Sequence, residues 1–181
     1  MRIISGKHRG RKLLTLDGFD ITRPTADRVK ESLFNILSTK VIDAVVLDMF
    51  AGSGALGLES LSRGAKECVF IDSDKKAADI VKKNISLCGE EDKSQVINLD
   101  YKVALKKLEN KKFDLVFIDP PYSKDIETIA LGMLNDKLSE DAIVVVEIDE
   151  KDDVQDKVGN LVKCDSRKYG RTIISFFKQE Y

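Results

Sequence analysis

Short apolar runs alternate with amphipathic stretches from residue 44 onward, and this predicts a repeated strand–helix pattern. The runs lack the polar alternation of a half-exposed strand, which is typical of parallel strands buried on both faces. The predicted strands are 44–49, 68–72, 95–99, 113–118 and 142–148, and the predicted helices are 54–63, 74–88, 101–108, 125–136 and 151–157. Such alternation favours an α/β fold with helices on both faces of the sheet.

The last two apolar segments, 160–164 and 171–177, break this pattern. Their connection is too short for a parallel crossover, so they should pair antiparallel. The predicted sheet therefore has seven strands, mostly parallel, with one strand reversed.

Residues 1–24 follow a different pattern. The segments 2–5 and 12–16 flank a basic turn that contains Gly6 and Gly10, and this predicts a β-hairpin. Thr25 can cap a following helix that runs to about Ser38, because the apolar residues of 29–37 recur at helical spacing. We therefore predict a single domain, 1–181, in which 1–24 form a small basic hairpin extension.

The composition fits one globular domain of 181 residues, 43% hydrophobic and 34% charged. No run of about 18 apolar residues or signal-peptide pattern occurs, so no membrane span or secretion is expected. The three cysteines lack paired spacing, which favours reduced thiols and a cytoplasmic location. With one histidine, a transition-metal site is not expected.

Positive charge is concentrated at the amino terminus, although the net charge is −1. The bases of residues 1–12, which contain no acid, are Arg2, Lys7, Arg9, Arg11 and Lys12. They can form a nucleic-acid face. An ordinary solvated basic segment explains the charge equally well.

A glycine loop follows the first predicted strand of the alternation. Gly52, Gly54 and Gly57 have the G-x-G-x-x-G spacing of a nucleotide-cofactor site, although a tight turn without a ligand has the same spelling. The candidate cofactor-binding residues lie in and after this loop and at the next two strand ends: Asp48, Phe50, Ala51, Gly52, Ser53, Gly54, Asp72, Ser73, Asp100 and Tyr101.

The acids of this region favour S-adenosylmethionine over a dinucleotide. Asp48 immediately precedes the loop and would repel a diphosphate, whereas it suits an ammonium and a sulfonium. Asp72 can accept both ribose hydroxyls, which either cofactor would need. Asp100 can accept the adenine amine or simply cap the helix that follows it.

The tetrapeptide Asp119-Pro120-Pro121-Tyr122 follows the strand 113–118. Open α/β sheets bind ligands at the carboxyl ends of their strands, and the prolines have no N–H to pair with a neighbouring strand. Asp119 and the Pro120 carbonyl can hold the hydrogens of a planar amine while Tyr122 stacks on its ring. A Pro-Pro turn that merely ends the strand is the alternative. We predict Asp119, Pro120 and Tyr122 as catalytic residues.

These motifs resemble those of the class I S-adenosylmethionine-dependent methyltransferases over about 44–178, and this implies a Rossmann-like sheet. The segments 2–13, 23–31 and 168–170 are similar to the bacterial 16S ribosomal RNA guanine-N2 methyltransferases of the RsmD type. Two departures are Asp72, where many relatives carry Glu, and Ser5, where a small apolar residue is frequent. The resemblance implies a monomer that methylates one guanine amine in small-subunit ribosomal RNA, in a partly assembled subunit.

The implied reaction is direct transfer of the methyl group to nitrogen on an exposed or flipped base. Asp119 would orient the amine and accept its proton. Arg23, Thr25 and Arg28, by resemblance, lie near the active site and grip a phosphate or the flipped nucleotide; capping by Thr25 and surface charge for the arginines are equal alternatives. The basic hairpin would contact the RNA backbone.

Two other functions remain open at this point. A DNA adenine-N6 methyltransferase would use the same tetrapeptide, but such enzymes usually need a target-recognition domain. A non-catalytic S-adenosylmethionine- or RNA-binding module is the second, against which the intact Asp119 and Tyr122 argue. The position of the guanine, the assembly stage of the substrate and the mode of base exposure do not follow from the sequence.

Overall fold

The computed structural model describes residues 1–16, 24–121 and 125–180, with the side chains of Pro24 and Thr25 excluded. Within these residues, five α-helices accompany one eight-stranded sheet. The helices are α1 (Pro24–Leu37), α2 (Ala55–Ser62), α3 (Lys75–Cys88), α4 (Tyr101–Lys107) and α5 (Ile126–Gly132). The strands are β1 (Val45–Asp48), β2 (Glu67–Ile71), β3 (Ser94–Ile97), β4 (Phe113–Ile118), β5 (Leu138–Asp149), β6 (Lys157–Val158), β7 (Leu161–Tyr169) and β8 (Thr172–Gln179).

The order of the strands is β3-β2-β1-β4-β5-β8-β7-β6. Strands β1 to β5 are parallel, and β8 runs antiparallel to both β5 and β7, as the short β7–β8 connection requires. The α/β fold with a mostly parallel sheet is therefore confirmed. The strand count was wrong by one, because the two-residue β6 extends the edge antiparallel to β7, and two strands are thus reversed.

Two apolar cores cover the two faces of this sheet. One contains Leu33, Phe34 and Leu37 of α1 together with buried residues of α2 and α3, and it also takes in Ile3 and Leu13. The other contains buried residues of α4 and α5. The amino-terminal segment and α1 therefore lie on the same face of the sheet.

The predicted helix 151–157 is wrong. This segment forms a turn, in which the Asp149 carbonyl accepts from the Asp152 N–H at 3.0 Å, followed by irregular chain and β6. Val154 is its one apolar residue and is buried, so a helix here would have no apolar face to cover the sheet.

The amino-terminal hairpin is confirmed as a reversal of the chain but not as two regular strands. Arg2 and Lys12 form an isolated antiparallel bridge, and the Ile3 N–H donates to the Arg11 carbonyl at 2.9 Å. The Leu13 N–H likewise donates to the Met1 carbonyl at 3.0 Å, and no regular ladder continues beyond this bridge. The Ile4 N–H donates to Glu59 and the Leu14 N–H donates to Asn84.

Candidate active site

Four acidic side chains lie at or just beyond the carboxyl ends of neighbouring parallel strands. They are Asp48 of β1, Asp72 after β2, Asp119 after β4 and Glu147 of β5. Asp48 is in register with Phe117, and Ile118 is in register with Val146, so Asp119 lies between the strands that carry Asp48 and Glu147. The topology thus builds one acidic edge where ligands of open α/β sheets bind.

The glycine loop connects this edge to α2. Gly52 and Gly54 have φ of +56° and +77°, a left-handed conformation that glycine adopts without a steric cost. A Cβ at Gly52 would meet no atom within 4 Å, so the backbone there is open to a ligand. A Cβ at Gly57 would come within 2.3 Å of Phe70, so this glycine allows α2 to pack closely on β2.

Asp48 is buried beneath the loop, and its Oδ2 accepts the Gly57 N–H at 3.0 Å. Burial raises its pKa to about 7, with smaller contributions from Asp119 and Asp72. The observed hydrogen bond of Asp48 is therefore made to the glycine loop. Its direct contact with a cofactor stays a prediction.

Asp72 also holds the loop. Its Oδ2 accepts the Gly52 N–H at 2.8 Å and its Oδ1 accepts the Asp74 N–H at 2.9 Å. Each oxygen keeps a second lone pair for a ribose hydroxyl. Asn98, which the sequence analysis missed, donates to the carbonyls of Asp72 and Ser73 and fixes this turn.

Asp100 caps α4: its Oδ1 accepts the Lys102 N–H at 2.9 Å. The capping alternative is therefore observed, and the predicted contact of Asp100 with adenine is untested. The Tyr101 ring is buried and lies 5.1 Å from that of Phe50, in a tilted arrangement. These two rings form an apolar wall beside the loop, suited to one face of an adenine ring.

The other predicted cofactor residues are placed in the loop and the turn after β2. The Ala51 N–H donates to the Ile71 carbonyl at 2.9 Å, and the Ser53 carbonyl accepts from Asn84 at 2.8 Å. Asn84 also binds the backbone N–H and carbonyl of Leu14. One buried side chain of α3 therefore joins the glycine loop to the amino-terminal segment.

Asp119 is exposed to solvent, and within the described residues its carboxyl group has no hydrogen-bond or ion-pair partner. Desolvation raises the pKa of its carboxyl group to about 6. The next residue, Pro120, is partly exposed to solvent. Tyr122 lies outside the described residues. An unpaired carboxylate of this kind is available to accept a proton at neutral pH.

Glu147 is a site residue that the sequence analysis missed. A signal was present, because Glu147 is the one acid in the apolar run 142–148. Burial, followed by the charge of Asp119, raises its pKa to about 8. It thus titrates together with Asp119, and the site holds a proton at neutral pH.

The basic amino-terminal turn is fixed to α2 and to the chain after α3. Glu59 is fully buried and accepts from the N–H groups of Ile4 and Ser5 at 2.8 and 3.0 Å. Glu90 is likewise buried and contacts Lys7 at 2.6 Å and His8 at 2.7 Å. A Cβ on Gly6 would come within 1.8 Å of the Ser62 carbonyl oxygen, so the turn lies directly against the end of α2.

The predicted RNA-binding cations differ in their availability. Arg2 pairs with Asp27 at 2.9 Å, and Arg11 donates to the Leu87 carbonyl. Arg9, Lys12 and Arg28 are exposed and have no ion pair with any described residue. Lys7, His8, Arg9 and Arg11 line a shallow recess of about 220 Å³. Arg23 and the side chain of Thr25 lie outside the described residues.

Residues 1–16, 24–121 and 125–180 contain neither a membrane-spanning helix nor a cluster of metal ligands. No helix there is long and apolar enough to span a bilayer. No three histidine, cysteine or acidic side chains there are grouped as metal ligands would be.

Known proteins share this chain's sequence and fold over nearly its full length. Residues 1–178 match the family model described as "Conserved hypothetical protein 95". The chain is 44% identical over 157 residues to ribosomal RNA small subunit methyltransferase D of Haemophilus influenzae, which covers 84% of this chain and 80% of the relative. It is 38% identical over 183 residues, 99% of each chain, to a Bacillus subtilis protein provisionally named rRNA methyltransferase YlbH. A solved structure provisionally described as the methyltransferase yhhF from Escherichia coli has a TM-score of 0.87 at 31% identity and covers 100% of this chain and 98% of its own.

Proposed function

Because the chain belongs to the conserved hypothetical protein 95 family, which includes the small-subunit ribosomal RNA methyltransferases D, we propose that it methylates the N2 amine of one guanine in small-subunit ribosomal RNA. The methyl donor is S-adenosylmethionine. The observation that carries the proposal is the carboxylate of Asp119, which stands at the carboxyl end of β4 beside the glycine loop and has no hydrogen-bond or ion-pair partner among the described residues.

The cofactor pocket fits S-adenosylmethionine better than a dinucleotide. The backbone at Gly52 is open to a ligand, while the buried Asp48 immediately beneath the loop disfavours a diphosphate. Asp72 has free lone pairs for the ribose, and Phe50 and Tyr101 offer a wall for the adenine. When bound, the cofactor supplies an activated methyl group on a sulfonium.

The residues of this chain would prepare the amine for attack. A guanine amine is a poor nucleophile because its lone pair is delocalised into the ring. Asp119 and the Pro120 carbonyl accept its two hydrogens and so orient the lone pair toward the methyl group. Asp119 then takes the proton that becomes acidic as the N–C bond forms, and its pKa of about 6 suits that exchange near neutral pH.

The exposed bases of the amino-terminal turn would position the RNA. Arg9 and Lys12 are free of ion pairs with described residues, and the turn that carries them is fixed to the body of the protein. Because the backbone that carries them is already fixed, only the two side chains would have to become ordered when they neutralise phosphates. The monomeric state, the cytoplasmic location and the use of a partly assembled subunit are parts of the same proposal.

The test is a labelled-methyl assay on naked small-subunit ribosomal RNA, partly assembled subunits and DNA, followed by nucleoside analysis. We expect N2-methylguanosine from one of the two RNA substrates. N6-methyladenine from DNA would instead support the adenine methyltransferase, and no methylated product from any substrate would support the binding module.

Arg9→Ala with Lys12→Ala should weaken RNA binding and reduce its salt dependence. Loss of two phosphate contacts should lower the slope of log affinity against log salt by roughly 1.4–1.8. The matched control is Lys106→Ala with Lys107→Ala, which removes the same charge from α4 on the opposite face of the sheet. Equal slopes for the two double variants would show that the turn is not the RNA contact.

Asp72→Ala should weaken S-adenosylmethionine binding by about 1–3 kcal/mol in calorimetry, since the ribose hydroxyls and the amides of Gly52 and Asp74 would lose their acceptor. The control Asp74→Asn alters a neighbouring acid that caps α3, and Asn is an equally good cap. Its cofactor affinity should equal that of wild type. Unchanged affinity in Asp72→Ala would remove Asp72 from the cofactor site.

A further inference from the structure

Glu147 lies on a face of β5 whose neighbouring side chains are apolar. On the same face of β5, Ile143 and Val145 belong to the apolar core, and so does Ile174, its partner in register on β8. The side chain is half-buried, and it has no hydrogen bond or ion pair with any residue in the described ranges. A desolvated carboxyl group without a partner destabilises the fold, so packing does not account for it.

The nearest functional group to Glu147 is Asp119. Ile118 of β4 is in register with Val146 of β5, so the two acids follow one another across adjacent strands. Neighbouring strands are about 4.8 Å apart, and both side chains are on the face of the sheet that contains Phe117 and Val145. Two carboxyl groups thus form a short row at the edge where the amine would be held.

The Watson–Crick edge of guanine presents a matching row. The N2 amine is followed by the N1–H donor and then by the O6 acceptor, and flipped bases are commonly read along this edge. We propose that Glu147 is a base-recognition residue that accepts the N1–H and donates to O6 of the guanine whose N2 amine is bound to Asp119. This rests on the proposed function and adds to it the group that selects the base.

The protonation of Glu147 agrees with that role. Burial and the neighbouring Asp119 keep its carboxyl group protonated at neutral pH, with a pKa of about 8. A neutral carboxylic acid has one carbonyl acceptor and one O–H donor, which complement N1–H and O6 together. Adenine, with its amine on Asp119, would instead present the N1 acceptor and C2–H, so it could accept the O–H at N1 but would leave the carbonyl oxygen without a donor. Asp119 and Glu147 together therefore favour guanine over adenine.

The test compares guanine with 2-aminopurine at the methylated position of the RNA. 2-Aminopurine keeps the N2 amine but lacks both N1–H and O6. Wild type should prefer guanine by about 10- to 100-fold in kcat/KM, the range for a bidentate contact. Glu147→Gln, which keeps one acceptor and one donor, should retain this preference. Glu147→Met, which keeps length without polar atoms, should lower it to within about threefold of unity.

Three controls separate this role from a structural one. Asp141→Asn, an exposed acid on the same strand, should leave the preference unchanged. Circular dichroism and cofactor affinity report whether each variant is folded. If Glu147→Met does not fold, the wild-type preference decides, because equal turnover of the two bases would by itself overturn the proposal.

Failure of this proposal is distinct from failure of the proposed function. If wild type forms no N2-methylguanosine on any ribosomal RNA substrate, the proposed function is wrong. If wild type does form it and Glu147→Met keeps the full preference for guanine, the recognition role of Glu147 alone is wrong.

Discussion

Asp119→Asn is expected to lower the single-turnover rate of methyl transfer by roughly 10- to 1000-fold, the scale of losing one acid–base group. Asparagine keeps the size and one acceptor oxygen of aspartate but cannot take the amine proton. Asp119→Ala should be slower still, because it also removes the acceptor that orients the amine. Cofactor affinity should change little in either variant, since no described contact joins Asp119 to the glycine loop.

The measurement uses saturating enzyme and the RNA substrate found in the nucleoside assay, so that product release does not limit the rate. Asp153→Asn, an exposed acid beyond β5, is the matched control and should react at the wild-type rate. Equal rates for wild type and Asp119→Ala would refute the mechanism and favour a binding protein.

Glu59→Ala is expected to lower the free energy of unfolding by about 3–5 kcal/mol, the cost of removing one partner from a buried charged cluster. Glu59 is fully buried and contacts Lys30 at 3.3 Å and Arg63 at 2.7 Å, besides the amides of Ile4 and Ser5. Its loss would leave the buried Lys30 with the Arg2 carbonyl as its one remaining described contact. Glu59→Gln should be milder, since its side-chain oxygen still accepts from the backbone.

Urea denaturation followed by circular dichroism gives this energy, with Lys157→Ala as the control. Lys157 belongs to an exposed ion pair with Glu180, and such pairs contribute about 0.2–1 kcal/mol. Unfolding of Glu59→Ala at the wild-type urea concentration would show that the amino-terminal segment is not anchored through Glu59.

The sequence was sufficient to predict the parallel strands and the edge of the sheet at which the candidate site lies. Short apolar runs followed by Asp48, Asp72 and Asp119 place those acids together in any parallel sheet, because carboxyl ends meet at one edge. The prediction failed at 151–157, because three of these residues are aspartates of low helix propensity and a helix with Val154 as its one apolar residue has no apolar face to bury. It also failed to predict β6, since two residues carry no periodic signal.

The contacts that hold the amino terminus could not be predicted from local pattern. Glu59 and Asn84 lie on helices, more than fifty residues from the amino-terminal backbone groups that they bind. A buried polar residue on a helix shows only that a partner is needed, and the tertiary fold determines which one it is. Glu147 was missed for a related reason: an acid in an apolar run marks an unusual position in the sequence, but its neighbour across the sheet is known only from the fold.

The placement of Asn84 has a thermodynamic consequence. Because the Asn84 amide group binds both Leu14 and Ser53, a movement of the basic amino-terminal segment would be transmitted to the glycine loop. If RNA tightens cofactor binding through this element, linkage requires the cofactor to tighten RNA binding by the same factor. Asn84→Ala should then bring this coupling free energy toward zero, which calorimetry of each ligand in the presence and absence of the other would measure.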